Sequence, residues 1–347
     1  MVAQWLFRFG WALVAVALCF NDADRAFAQT GFPPRLEDYV TKVVRLTADE
    51  RKRLFDGAPV AKNLEADPGK EVSIFGAIWI HARIARYVSL LEDIETFEKG
   101  PGFRVTKKVG DPARIDDFAA LVLPDDDFHD LQSCRVGDCE LKLSGETLTR
   151  VRKEVDWRAP DAKAQVERLL RQIAVDSVNA YRAGGNSQLA VYRDSANPTF
   201  VAKEFVDMID HMPALTAYLP DMRQYLIEYP KPPSRPTTSF IYWQEAEFGL
   251  KPTVRLNHVA VQESADATIV ASKQLYSSHY FWTALELRAL VPQASRGDGF
   301  WFVNVNRSRS DGLSGFVGRM IRGKVRDRAR EGLESALAAV KEKLETP

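Results

Sequence analysis

Between Ser239 and Glu345 the hydrophobic period changes once, and that change limits the folds open to this chain. Four β-rich segments, "SFIYWQEAEFG", "TVRLNHVAVQE", "ATIVASKQLYSSHYFWTALELRALVP" and "GFWFVNVNRSR", follow the Pro-rich connector "PKPPSRPT" (230–237), which cannot continue a helix. The third is too long for one strand and is expected to bend or break at Ser277-Ser278. In the second, Val254, Leu256, His258 and Ala260 alternate with Arg255, Asn257, Val259 and Val261, so both faces carry apolar residues. A sheet with one face on the core and the other partly covered gives that pattern. Beyond the last strand the period becomes helical: Phe316, Val317, Met320, Ile321, Val325, Leu333, Leu337, Val340 and Leu344 form one stripe. The stripe is buried most simply against the concave side of the preceding antiparallel sheet. The expected fold is α+β, a curved sheet gripping a long C-terminal helix.

Upstream, "EVSIFGAIWIHA" (71–82) reads as a strand. Ile84, Tyr87, Val88, Leu91, Ile94 and Phe97 then mark an amphipathic helix ending at Gly100. "FRVTKKVG" (103–110) and "DDFAALVLP" (116–124) read as further strands. The middle, 160–229, is helical: one helix stops at Gly184-Gly185, a second holds "FVAKEFVDMIDHM" and a third "LPDMRQYLIEY". Residues 29–70 form an N-terminal extension, expected to pack on the main body as an adapter, with a short helix capped by Thr47 in "LTADERKRLFDG".

The first residues place Arg8 before an apolar run from Phe9 to Phe20 and then Ala26-Phe27-Ala28. This is the order of a secretory signal peptide over 1–28; the run is well short of the roughly 20 residues that span a bilayer. Cys19 would leave with it. An exported, periplasmic or secreted chain meets an oxidising compartment, so Cys134 and Cys139 in "SCRVGDC" are expected to close a small disulfide loop. A metal pair would need further ligands, and only His129 is near in sequence. The chain has 47 basic and 47 acidic residues, which gives no global reason to expect a nucleic-acid partner.

The strand-to-helix opening "EVSIFGAIWIHARIARYVSLLEDI", the strands from Ser239 to Arg309, and the closing "GFWFVNVNRSRSDGLSGFVGRMIRGKV" together resemble the START-like, or SRPBCC, helix-grip superfamily. The resemblance covers 71–124 and 238–345, so the START-like domain is drawn as 71–347 with 125–237 as a cysteine-loop and helical insertion foreign to the family pattern. It implies a hydrophobic cavity between sheet and helix that binds a lipid-like apolar or amphipathic ligand and carries it in the cell envelope, with no cofactor. It also admits an enzyme of the same fold, cyclase- or hydrolase-like.

Standard catalytic signatures are absent: "GLSGF" lacks the last glycine of GxSxG, and HExxH, a Walker loop and GxGxxG do not occur. Candidate cavity residues are Trp243, Glu245, His258, His279, Trp282, Glu286, Trp301 and Arg307. His258 and His279 fall on neighbouring strands near Glu245 and Glu286, a set able to position a head group or act as acid and base. No metal site is expected. The basic run "RMIRGKVRDRAR" offers Arg319, Arg322, Lys324 and Arg326 to an anionic membrane, each basic residue contributing about 1 kcal/mol near the surface.

Overall fold

The computed structural model describes residues 31–346 except 101, 248–250 and 312–314, with only the backbone for 315–321. The signal segment, Cys19 and the side chains of Phe316, Val317, Arg319, Met320 and Ile321 lie outside the described residues.

The strands are β1 (Val60–Asn63), β2 (Glu71–Ile80), β3 (Phe103–Val109), β4 (Val191–Tyr192), β5 (Thr199–Phe200), β6 (Thr237–Ala246), β7 (Thr253–Glu263), β8 (Thr268–Ser277), β9 (Phe281–Pro292) and β10 (Phe300–Ser310). Eight of them form one curved antiparallel sheet in the order β1-β2-β10-β9-β8-β7-β6-β3; β4 and β5 make a separate pair. The core is a meander, β6 to β10, in which each strand pairs with the next in sequence. The long third segment breaks after Ser277, as its length required, and Tyr280 takes a left-handed conformation (φ 61°) in the turn. β2 joins the far side of β10, and β1 extends the sheet beyond it.

Helices cover both faces: α1 (Pro34–Tyr39), α2 (Ala48–Phe55), α3 (Ile84–Glu92), α4 (Ile94–Phe97), α5 (Asp125–Ser133), α6 (Gly145–Glu154), α7 (Ala162–Gly184), α8 (Val201–Asp210), α9 (Pro213–Tyr218), α10 (Pro220–Glu228) and α11 (Gly315–Glu345). On one face α3 and α4 bring Tyr87, Leu91 and Ile94, and α11 brings Leu333, Leu337 and Leu344, onto Ile78, Val259, Leu290 and Phe302. On the other, the N-terminal helices and α8 to α10 bury Trp79, Trp301, Leu285 and Ala271. Beside them α7 packs Val178 and Tyr181 on Ile241, Trp243 and Leu256.

The terminal helix packs on the sheet, its second half over β1 and β2 at one edge. Gly76 of β2 decides this, because a Cβ there would stand 2.8 Å from Leu333 Cδ2 and 2.9 Å from Leu337 Cδ1. Polar ties hold the same half, with Lys341 Nζ donating to the Trp79 carbonyl at 2.9 Å and the Ala61 amide donating to Glu334 Oε1 at 3.2 Å. One expectation is corrected: 116–124 is no strand but a 3₁₀ turn (Ile115–Phe118) and an irregular segment. Asp117 Oδ2 accepts from the amides of Gly110 and Arg114, and the segment's own amides close turns, Asp117 to the Arg114 carbonyl, Ala119 to that of Asp116 and Leu121 to that of Phe118, while Leu123 donates to Glu167 Oε1. Phe118 then stacks on Trp243. The N-terminal extension, described from residue 31, packs on the main body. It supplies edge strand β1 and the core residues Phe32, Leu36, Val40 and Leu54, with Phe32 set 4.7 Å from Trp301.

The Thr47 cap forms with its capping box to Glu50, and Cys134 and Cys139 are disulfide-bonded. α7 ends at Gly184, and Gly185 (φ 61°) lets the chain turn where a Cβ would meet the Tyr229 carbonyl.

Gly76→Ala should lower stability by about 1–3 kcal/mol through overpacking, and Leu337→Ala by about 2–5 kcal/mol through the cavity left behind. Urea midpoints measure both; a neutral Gly76→Ala would show that the helix seat is loose.

Candidate ligand-binding site

Side chains alternate along each strand, so register alone assigns them to faces. Gly76 looks toward α11, and Asn304 lies opposite it on β10. Arg288 on β9 lies opposite Asn304, and Glu286 is two residues along on the same side. Ser272 on β8 faces Glu286; Gln274 follows it and pairs with Asn257 on β7. Gln244 on β6 faces Arg255, and Thr106 on β3 faces Gln244. The helix-side face is therefore crossed by a polar stripe running over six strands. Ile78, Phe302, Leu290, Val270 and Val259 make the same face apolar alongside it.

The stripe is deep. Gln244, Asn257, Gln274 and Asn304 expose 2%, 1%, 1% and 4% of their surface. Each nevertheless has a side-chain atom without a hydrogen-bond partner: Gln244 Oε1, Asn257 Nδ2, Gln274 Nε2 and Asn304 Oδ1, with Thr106 Oγ1 as a fifth. Such atoms cost about 1–3 kcal/mol each when left unmatched. Glu286, in their midst, keeps 24% of its side chain accessible.

The charges in the stripe are mutually matched. Glu286 accepts from Arg288 Nε at 2.9 Å and from Arg288 Nη2, and from Asn304 Nδ2 at 2.6 Å. Arg288 Nη1 also donates to the Tyr87 hydroxyl at 3.1 Å. Burial alone pushes the Glu286 carboxyl up, but the Arg288 guanidinium and these hydrogen bonds outweigh it and hold the group below its usual value. Nearby Glu98 behaves oppositely: burial raises it, and Arg288 only partly offsets that. Burial also pushes the Tyr87 phenol up to about 12.

The opposite face holds a second buried polar group. His258 and Lys273 are direct cross-strand partners. His258 Nδ1 meets the Tyr181 hydroxyl at 3.0 Å and Nε2 the Tyr225 hydroxyl at 3.3 Å. Burial, with the Lys273 and Arg182 charges, lowers its pKa to about 3, so the ring is neutral and a weak base. Lys273 Nζ bonds Asn186 Oδ1 and lies 4.1 Å from the Phe205 ring centre and 5.3 Å from that of Tyr181. Burial lowers it to about 7. Lys273 is missing from the sequence-derived candidates, although a lysine centred in the apolar run "TIVASKQLYS" signals enforced burial.

The candidates do not converge. Trp243 and Trp301 are core on the face away from α11, their indole N–H groups donating to the Asp117 carbonyl and Gln293 Oε1. Arg307 joins Arg309 on Glu71 in a buried ion cluster. His279, in the β8–β9 turn, pairs with Asp127 of α5 at 3.1 Å. Glu245 binds Arg104 at the β3 edge, and half-buried Trp282 has Lys70 over its ring. Only Glu286 belongs to the stripe. Among the described residues no set of His, Cys, Asp and Glu is arranged to hold a metal. Comparison with family models, curated proteins and solved structures finds no match to this chain.

Lys273 predicts a pH response. The unfolded chain holds this proton to an ordinary value near 10.5 and the folded chain only to about 7. Stability therefore rises with pH between those values, at about 1.4 kcal/mol per unit of pKa difference, by a few kcal/mol in all. Lys273→Met should raise the urea midpoint at pH 6 and lose that advantage by pH 10.5; equal effects at both would show that the ammonium is not desolvated.

Proposed function

We propose that the chain is an exported START-like helix-grip protein that binds a lipid-like, hydrophobic or amphipathic ligand on the helix-side face of its sheet. The observation that carries this reading is the pairing, on one face, of an apolar wall with a buried polar stripe whose side chains have unmatched atoms. An amphipathic molecule supplies both partners at once: apolar surface worth about 25 cal/mol per Å² buried, and polar atoms for the stripe. The Glu286 carboxylate, with 24% of its side chain accessible, is the part of the stripe that such a molecule would meet. The α+β fold, the terminal helix and the disulfide all suit an exported carrier.

Native mass spectrometry of protein purified from its own envelope without detergent, followed by organic extraction, tests the reading. A stoichiometric amphiphile is the expected result. Protein that comes off empty and takes up no fluorescent lipid afterwards would remove it.

Contact with an anionic membrane is part of the proposal. Lys324 is exposed, while Arg322 and Arg326 are half-buried on α11. Lys324→Glu combined with Arg326→Glu should weaken binding to vesicles rich in anionic lipid several-fold, at about 1 kcal/mol per charge. Unchanged binding would delete the membrane from the proposal.

A hydrolase-like enzyme is the second reading, favoured by Glu98 and Glu286, two nearby carboxyls whose surroundings move them in opposite directions. Hydrolysis of a chromogenic ester or glycoside that disappears in Glu98→Gln would turn the assignment toward it.

A further inference from the structure

His81, Arg83 and Arg86, at the junction of β2 and α3, line a surface cleft of about 440 Å³ together with Leu344 and Glu345 at the end of α11. Two alanines complete the lining. The volume lies in the range of small-molecule sites. Because Leu344 and the alanines are apolar, the side-chain polar atoms of the cleft belong to His81, the two arginines and Glu345.

The single acid of the lining is already answered. Glu345 Oε1 accepts from the His81 amide at 2.7 Å and pairs with Lys341. Burial alone would raise this carboxyl, but the His81 amide and the Lys341 ammonium hold it below its usual value. The donors are not answered. The Trp79 indole, which only donates, gives its N–H to His81 Nδ1 at 3.2 Å, so the ring carries its own proton on Nε2. Arg86 Nη2 donates to the Thr346 carbonyl, and its Nε and Nη1 have no acceptor among the described residues. The Arg83 side chain has no hydrogen-bond or ion-pair partner among them at all. A lone surface arginine is ordinarily matched by water. Here two, three residues apart and so on neighbouring positions at the start of α3, border one concave space.

A ligand that answers these groups brings acceptors and negative charge. One guanidinium fork already takes both oxygens of a carboxylate. Two forks and a third donor around one space match the larger oxygen set of a phosphate or sulfate.

We infer that this cleft binds a compact tetrahedral oxyanion, phosphate-like in its chemistry, through Arg83, Arg86 and His81 Nε2. The site is separate from the sheet face and from the basic run at the other end of α11, since the helix from Lys324 to Glu345 is about 30 Å long. A free phosphate and the phosphate-ester head of a larger molecule share that chemistry.

Calorimetric titration of the full chain tests it with inorganic phosphate and with glycerol 3-phosphate, near neutral pH and at constant ionic strength set with sodium chloride. One equivalent should bind with a Kd of about 1 mM or tighter. Arg83→Gln and Arg86→Gln should each weaken it about tenfold, as the loss of a charge-assisted hydrogen bond does. Lys231→Gln, an equal loss of charge at an exposed position in the Pro-rich connector, should change it less than about twofold. Phosphate binding as tightly as the ester would support the inference with a free oxyanion as source; an ester that binds more tightly would support it with the head of a larger molecule.

The absence of saturable heat from both probes at about tenfold that concentration overturns the inference. Arginine variants that bind as the parent does, or a Lys231→Gln variant weakened as much as they are, overturn it too. Neither probe carries an apolar tail, so such a failure leaves the amphiphile reading standing.

Discussion

A sheet covered on both faces has nowhere to discard a polar side chain. Every residue on β7 to β10 points into one packed layer or the other, and a polar group there must be matched or left at a cost of about 1–3 kcal/mol. The strands nevertheless carry His258, Lys273, Gln274, Glu286, Arg288, Asn304, Arg307 and Arg309 among their apolar residues. The way each is answered organises most of the molecule outside the sheet.

On the face away from α11, the insertion and the N-terminal segment provide the answers. Helix α7 ends at Gly184 and the chain turns at Gly185, so that Asn186 Oδ1 meets Lys273 while its Nδ2 donates to the carbonyls of Leu226 and Ile227. Tyr181 and Tyr225, from separate helices, enclose His258. Arg309 draws Glu204 and Asp207 of α8 onto Glu71. These contacts fix long insertion helices whose apolar faces alone would tolerate sliding. On the α11 face the charges are matched but several amides are not. Unmatched atoms occur on the other face too, at Ser73 Oγ and Thr283 Oγ1; what distinguishes the α11 face is the partly accessible Glu286 carboxylate among its buried amides.

Much of this was legible in the chain. The apolar run from Glu71 to Ile80, the alternation of β7, the excessive length of the third segment, the Thr47 cap and the stop at Gly184-Gly185 each fixed an element through local chemistry. The segment 116–124 was misread because Phe118, Leu121 and Leu123 are buried by an irregular path that imitates a strand's apolar content. β1 escaped notice because four residues, "VAKN", carry no periodic signal.

Of the proposed cavity set, Glu286 alone lies in the helix-side stripe, and the others fall on the opposite face, in turns or at the sheet edge. His258 and Glu286 both sit on central strands, yet they project to opposite faces, and one-residue register decides which. Hydrophobic period is a property of neighbours along the chain, so the amino-acid sequence by itself determined the long strands, the long helices, the disulfide loop and the closing helix. Facing is a property of pairs far apart: Gly76 beneath Leu333, Asn304 beside Arg288, Asn257 opposite Gln274. Only the tertiary structure decided which polar residues share a layer, because strand pairing and the seat of α11 are set by packing across hundreds of residues.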